Sequence, residues 1–166
     1  SWRASSAVST NYDDIIAAAD SSAPYRTKRG ALKYQPDDTD WSLDRLSEVQ
    51  DFYQSTYGRP LPLANKGQGS VHNRMGYDHR GSADVSLSPT TPEGQALIGE
   101  LQRRKIPFLA FDKAIPGAST GKHIHIGRAS SHTTTKYPVG SQVRKTAKVQ
   151  KAATPADDYS DIISAA

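Results

Sequence analysis

The stretch that decides the fold is GKHIHIG, residues 121–127. In an extended strand, side chains two apart point the same way. His123 and His125 then share one face, and Ile124 and Ile126 share the other. The spacing predicts a strand that lays its isoleucines on a core and presents two imidazoles on the opposite side. That is half of a metal site built on a rigid element. The chain has five histidines, and two more, His72 and His79, fall together in SVHNRMGYDHRGSADVSL, residues 70–87.

Working outward, SADVSL (82–87) alternates, with Val85 and Leu87 facing one way and Asp84 and Ser86 the other. IPFLAF (106–111) reads as a buried strand, and PLPLAN (60–65) as a short edge segment, because Pro60 and Pro62 cannot donate to a ladder. LDRLSEVQDFYQSTYG (43–58) carries Leu43, Leu46, Val49, Phe52 and Tyr53 at helical spacing, with Ser42 as N-cap and Gly58 as terminator. A second helix, PEGQALIGELQRRK (92–105), is capped by Thr91, opens on Pro92 and buries Leu97, Ile98 and Leu101. These elements predict an α+β domain over residues 41–128, with two main helices on a small antiparallel sheet. Residues 1–40 read as a leader and linker with a short helix. Residues 129–166 read as a flexible basic tail ending in another. NYDDIIAAA (11–19) and DYSDIISAA (158–166) match at six of nine positions. They are read as docking segments for neighbouring modules or a partner.

At 166 residues the chain holds one ordinary domain. No apolar run approaches the roughly 20 residues of a membrane span. There is no cysteine, which excludes disulfides and thiolate metal sites and leaves His, Asp and Glu as ligands. The formal charge of +4 points to an anionic partner such as a bacterial wall polymer. Nucleic acid is not the expected partner: Arg128, Lys136, Arg144, Lys145, Lys148 and Lys151 come with no aromatic stacking platform and no helix-turn-helix pattern. The chain opens at Ser1 without an apolar leader, which reads as an exported product, secreted or held in the periplasm or wall, after removal of its signal.

HExxH, the commonest helical zinc peptidase pattern, does not occur. What remains is His79-Arg-Gly-Ser-Ala-Asp84, followed about forty residues later by His123-Ile-His125. Gly81 lets the chain turn between His79 and Asp84, and Asp84 enters its strand on the polar face. That face can meet the imidazoles of HIHIG across an antiparallel sheet. A catalytic zinc usually keeps three protein ligands and one position for water. A register with His72 as ligand, together with Asp78 or His79, stays open. Gln68, Arg74 and Arg80 are the other polar residues near the motif. Arg74 is the first choice to stabilise an oxyanion or hold a substrate carboxylate, with Gln68 and Arg80 as substrate-binding residues. His132 reads as an exposed tail histidine and Asp112 as a loop cap.

With these residues in view, the chain resembles the D-alanyl-D-alanine carboxypeptidases and murein endopeptidases. Those zinc peptidases share the Hedgehog/DD-peptidase fold. The family pattern His-x-x-Gly-x-Ala-x-Asp is matched by DHRGSADV, and its late His-x-His strand by HIHIG; the likeness spans roughly residues 43–127. The resemblance implies zinc as cofactor, His79, Asp84 and His125 as its ligands, and His123 beside the metal, orienting or deprotonating water. It implies peptidoglycan stem peptides containing D-amino acids as substrates. Two departures stand out. His79 and Asp84 have four residues between them where the family usually has six. The dipeptidase branch carries a Glu three residues before its His-x-His, where this chain has Thr120. The proton-transfer role then falls to His123, an imidazole being suited to it near neutral pH.

Two other readings compete with a peptidase. One is a zinc-holding module of the same fold that binds a wall peptide or protein partner without cutting it. The other is a cupin-like barrel, since residues 117–125 also fit Gly-x5-His-x-His, but the carboxylate that pattern needs soon afterwards is missing from Gly127-Arg-Ala-Ser-Ser.

Overall fold

The alternation in HIHI is realised as a strand at the middle of a six-stranded sheet. A computed structural model describes residues 23–143. The matched end segments 11–19 and 158–166 lie outside the described residues, as do Arg144, Lys145, Lys148 and Lys151. The sheet contains β1 (Tyr25–Arg26), β2 (Leu32–Tyr34), β3 (Leu63–Lys66), β5 (Ala83–Val85), β6 (Phe108–Phe111) and β7 (His123–Ile126). Its order is β1-β2-β6-β7-β5-β3, and every adjacent pair is antiparallel. A second, two-stranded sheet pairs β4 (Tyr77–Asp78) with β8 (Ser131–His132). Three helices complete the α+β architecture among the described residues: α1 (Leu46–Tyr57), the short α2 (Ser70–Met75) and α3 (Pro92–Arg103). None of them is long and apolar enough to cross a membrane.

The two long helices follow their sequence signals. A turn of 3-10 helix, Leu43–Arg45, leads into α1, and Gly58 closes it in the left-handed conformation with φ of 67°. Ser42 stands at the entry but its side chain makes no capping bond. Thr91 does cap α3, its hydroxyl accepting from the Gly94 amide at 3.1 Å, and Pro92 takes the first turn, where its missing N–H costs nothing. Both helices pack on one face of the sheet. Leu46, Val49 and Tyr53 from α1 and Leu97, Ile98 and Leu101 from α3 meet Ala83, Val85, Phe108, Ala110, Ile124 and Ile126. By the period of two, Asp84, Leu109, Phe111, His123 and His125 are left on the other face. The helices thus make the sheet rigid from behind, and the chemistry sits in front.

Both sequence-derived domain boundaries fall inside the folded unit. Residues 25–34, read as linker, supply two strands, with Leu32, Lys33 and Tyr34 in register with Ala110, Leu109 and Phe108. Tyr34 draws them in: it is buried, and its ring lies 5.5 Å from that of Phe108. Residues 129–143, read as flexible tail, are also built in. Tyr77 and Asp78 pair with His132 and Ser131, and the Tyr77 and His132 rings lie 4.4 Å apart.

Gly127 ends β7 at φ of 123°, a region that L side chains rarely adopt. A Cβ there would lie 2.5 Å from Ser82 Oγ and 3.0 Å from Trp41 Nε1. Gly99, by contrast, is exposed on α3 with open space around it. Urea denaturation is expected to show Gly127→Ala destabilised by about 1–3 kcal/mol. Gly99→Ala should gain roughly 0.5–1 kcal/mol from helix propensity. Equal effects at the two positions would contradict this packing.

Candidate metal centre

Asp84 of β5 and His125 of β7 are direct cross-strand partners. The ladder therefore fixes one carboxylate and one imidazole side by side on the same face. His79 arrives from the turn between β4 and β5. Its Nε2 lies 3.2 Å from Asp84 Oδ1 and 3.1 Å from His125 Nδ1, and His125 Nδ1 is 3.0 Å from that same Oδ1. All three residues are buried.

Backbone carbonyls decide where the imidazole protons sit. His79 Nδ1 is 2.7 Å from Gly67 O, and His125 Nε2 is 2.9 Å from Arg128 O. A carbonyl only accepts, so those two ring nitrogens carry the hydrogens. The neutral rings then turn bare lone pairs inward, at His79 Nε2 and His125 Nδ1. Burial lowers the pKa of His79 beneath its ordinary value of 6.5, against the pull of Asp84, and so favours the neutral ring. Asp84 stays ionised in spite of its burial, its pKa held well below the usual carboxylate range. Two bare nitrogens and an anionic oxygen within 3.2 Å of one another repel unless a cation lies among them. Their spacing suits one. Tetrahedral ligands at the roughly 2.0–2.1 Å of zinc–nitrogen bonds are about 3.3 Å apart.

His72, His79 and Asp84 also form a His–His–Asp group that could hold a metal ion, their ligand atoms all lying within 4.8 Å of one another. The two triads share His79 and Asp84 but differ in direction. The rings of His72 and His79 are stacked 3.8 Å apart and 12° from parallel, so their in-plane lone pairs run side by side. The rings of His79 and His125 stand at 70°, and theirs converge. The Asn65 amide nitrogen lies 3.4 Å from His72 Nδ1 and 3.3 Å from His79 Nδ1, and His72 Nε2 is 3.3 Å from Asp84 Oδ2. His72 in this arrangement holds the carboxylate oxygen that does not face His125.

His123 borders the same space. Its Nε2 is 3.9 Å from Asp84 Oδ1, and its Nδ1 donates to Gly121 O at 3.0 Å, leaving Nε2 free to accept a proton. The ring stacks on Phe111 at 4.7 Å. Two cavities of about 190 Å³ and 310 Å³ open beside the cluster and share His72, Tyr77, Asp84, Ala118 and His123 as a common wall. Tyr77 reaches across, its hydroxyl donating to Gly117 O at 2.6 Å.

Among the residues singled out from the sequence, His72, His79, Asp84, His123 and His125 are brought together, and four others are not. Arg74 is exposed on α2 and lines neither cavity. Arg80 grips Asp78 with two bonds of 3.0 and 2.9 Å and lies 3.6 Å over the Tyr137 ring, which commits both Arg80 and Asp78 elsewhere. Gln68 is fully buried and has no surface to offer a substrate. Its Oε1 accepts from the His79 amide at 2.8 Å, and its Nε2 donates to Asn73 Oδ1 and Tyr77 O at 2.9 Å each. Gln68 positions His79 instead. Asn65, absent from the sequence reading, reaches both Gly67 O and His72 Nδ1. A single Asn in an edge segment carries no signal of that role.

Comparison with known proteins finds no matching family model, no matching curated protein and no matching solved structure.

Because the folded-state pKa of His79 lies below 6.5, the unfolded chain takes up a proton just under that pH that the folded chain refuses. Stability is full above this window and falls as pH drops through it. The metal-free protein is expected to lose melting temperature between pH 7 and pH 5, and His79→Gln to flatten that slope. A melting temperature flat over this range would contradict the buried neutral ring.

Proposed function

We propose that the protein is a zinc-dependent peptidase that cleaves bacterial wall peptides, with D-amino-acid-containing stem peptides of peptidoglycan as its substrates. The observation that carries this reading is the convergence of His79 Nε2, Asp84 Oδ1 and His125 Nδ1 at 3.0–3.2 Å. Two neutral imidazoles and one carboxylate are the ligand set of catalytic zinc sites that keep one position open for water. When bound, zinc polarises the scissile carbonyl and brings the pKa of water toward about 7. His79, Asp84 and His125 hold it, and His72 keeps the second Asp84 oxygen turned away. His123 is the base: its free Nε2 takes the proton of the attacking water and returns it to the leaving amine. The wall shared by the two cavities sets the substrate against these groups. The net positive charge of the chain favours an anionic wall polymer, and a secreted, periplasmic or wall location belongs to the same reading.

Protein purified without chelator is expected to carry close to one zinc per chain. His79→Ala, Asp84→Ala and His125→Ala should lose it. His72→Ala should keep it with affinity weakened about 10–100-fold, the usual cost of removing a residue that orients a ligand. Retention of zinc by His125→Ala with loss in His72→Ala would move the ligand set to the other triad.

Digestion of purified peptidoglycan should release new amino termini. His123→Ala should keep its zinc and slow that release by about 10²–10⁴-fold. Stoichiometric zinc with no new termini would instead identify a zinc-holding binding module.

A further inference from the structure

The cavity that holds all three proposed ligands does not end at the cluster. His79, Asp84 and His125 line the space of about 190 Å³, and Ala129 and Ser130 belong to its wall. The same two residues border a larger cavity of about 480 Å³, which Trp41 and Arg128 also line. Ser130 Oγ, where the two spaces meet, is buried without a hydrogen-bond partner among the described residues. A buried hydroxyl left in that state is a natural partner for a passing peptide group.

The larger cavity has one cation with nothing to hold. Arg128 is the only Lys or Arg that lines it among the described residues, and its guanidinium has no hydrogen-bond or ion-pair partner there. The two carboxylates on the same wall are both engaged, Asp78 by two bonds from Arg80 at 3.0 and 2.9 Å, and Asp40 by Arg45. The unbalanced charge is therefore that of a single guanidinium. Its main chain is fixed to the cluster, because Arg128 O accepts from His125 Nε2 at 2.9 Å and from Ser82 Oγ at 3.4 Å. The residue thus starts one imidazole ring and one hydrogen bond away from the metal position. Extended peptide, at about 3.3–3.6 Å per residue, crosses that gap in about two or three residues.

A planar guanidinium matches the two oxygens of a carboxylate. A phosphate dianion would meet the same single cation with Asp40 and Asp78 nearby, so a monoanion is the better fit. Trp41, fixed by its Nε1 donating to Gly81 O at 3.0 Å, offers apolar surface to the carbon stem that bears the carboxylate. A space of this size takes a chain segment and not a lone end group, so the carboxylate is one carried on a side group along the peptide. We infer that Arg128 is a specificity-determining residue, which selects wall peptides with a side-group carboxylate about two or three residues from the scissile bond. This rests on the peptidase reading for the scissile bond and on the cavity alone for the carboxylate.

The test uses the full zinc-loaded chain and synthetic peptides of alternating L- and D-residues with both ends blocked. Each carries one D-glutamate, or one D-glutamine in its place, moved stepwise along the peptide. At one position about two or three residues from the cleaved bond, kcat/KM for the acid should exceed that for the amide about tenfold, as expected of a charged hydrogen bond. Arg128→Gln should bring that ratio to about one and Arg128→Lys to an intermediate value. Both variants should keep zinc, because the main-chain carbonyl that His125 uses is unchanged. Calorimetry with the zinc-loaded His123→Ala variant should show the same preference in binding. An acid-to-amide ratio near one at every position, or a preference that survives Arg128→Gln, would overturn the inference and leave the peptidase reading standing. Tighter binding of acid than amide with no peptide cut would remove the peptidase reading and keep the carboxylate subsite. Neither cleavage nor binding would remove both.

Discussion

Three electron pairs forced toward one point are the constraint on which this structure depends. His79 and His125 each lend a proton to a main-chain carbonyl, at Gly67 and Arg128, and so have only lone pairs left for each other and for Asp84. Neither ring can turn away without abandoning a buried hydrogen bond. The repulsion is held in place by the surrounding fold, and a cation relieves it.

The fold supplies that restraint from two directions. From behind, isoleucines 124 and 126 anchor the central strand to the helical layer, so the facing pair Asp84 and His125 inherits the rigidity of the ladder. From the side, Gln68 braces the His79 amide while tying α2 to Tyr77. Removing that one glutamine side chain would leave several buried donors and acceptors unmatched at once. It is a polar residue whose importance comes from satisfying others.

The parts of this architecture legible in the amino-acid order are those governed by local periodicity. HIHI announces its two faces, the stripes of α1 and α3 recur at helical spacing, and Thr91-Pro92 marks a helix start without tertiary help. Asp84 and the His-x-His pair could be placed on facing strands because alternation alone dictates their side. The register of the first ligands, His72 against His79, was not legible, because the two rings are brought together only by the fold, stacked 3.8 Å apart. Strands of two and three residues at 25–34 are too short to show a period. The tail after Gly127 has the composition of a linker, and its order comes from pairing with a partner strand instead of burying apolar residues. Gln68 and Arg80 looked like ligand-facing groups because burial and pairing are tertiary facts.

The segment after β8 wraps the loop that carries the histidines. Lys136 donates to Asn73 O, the Asn73 amide donates to Tyr137 O at 2.8 Å, and Gly140 and Ser141 exchange main-chain bonds of 2.7 and 2.9 Å with Gln68. Few of these contacts involve the helical layer. Opening of this clasp is therefore a sub-global event in its own right, cheaper than melting the sheet, and hydrogen exchange would resolve it as a separate foldon.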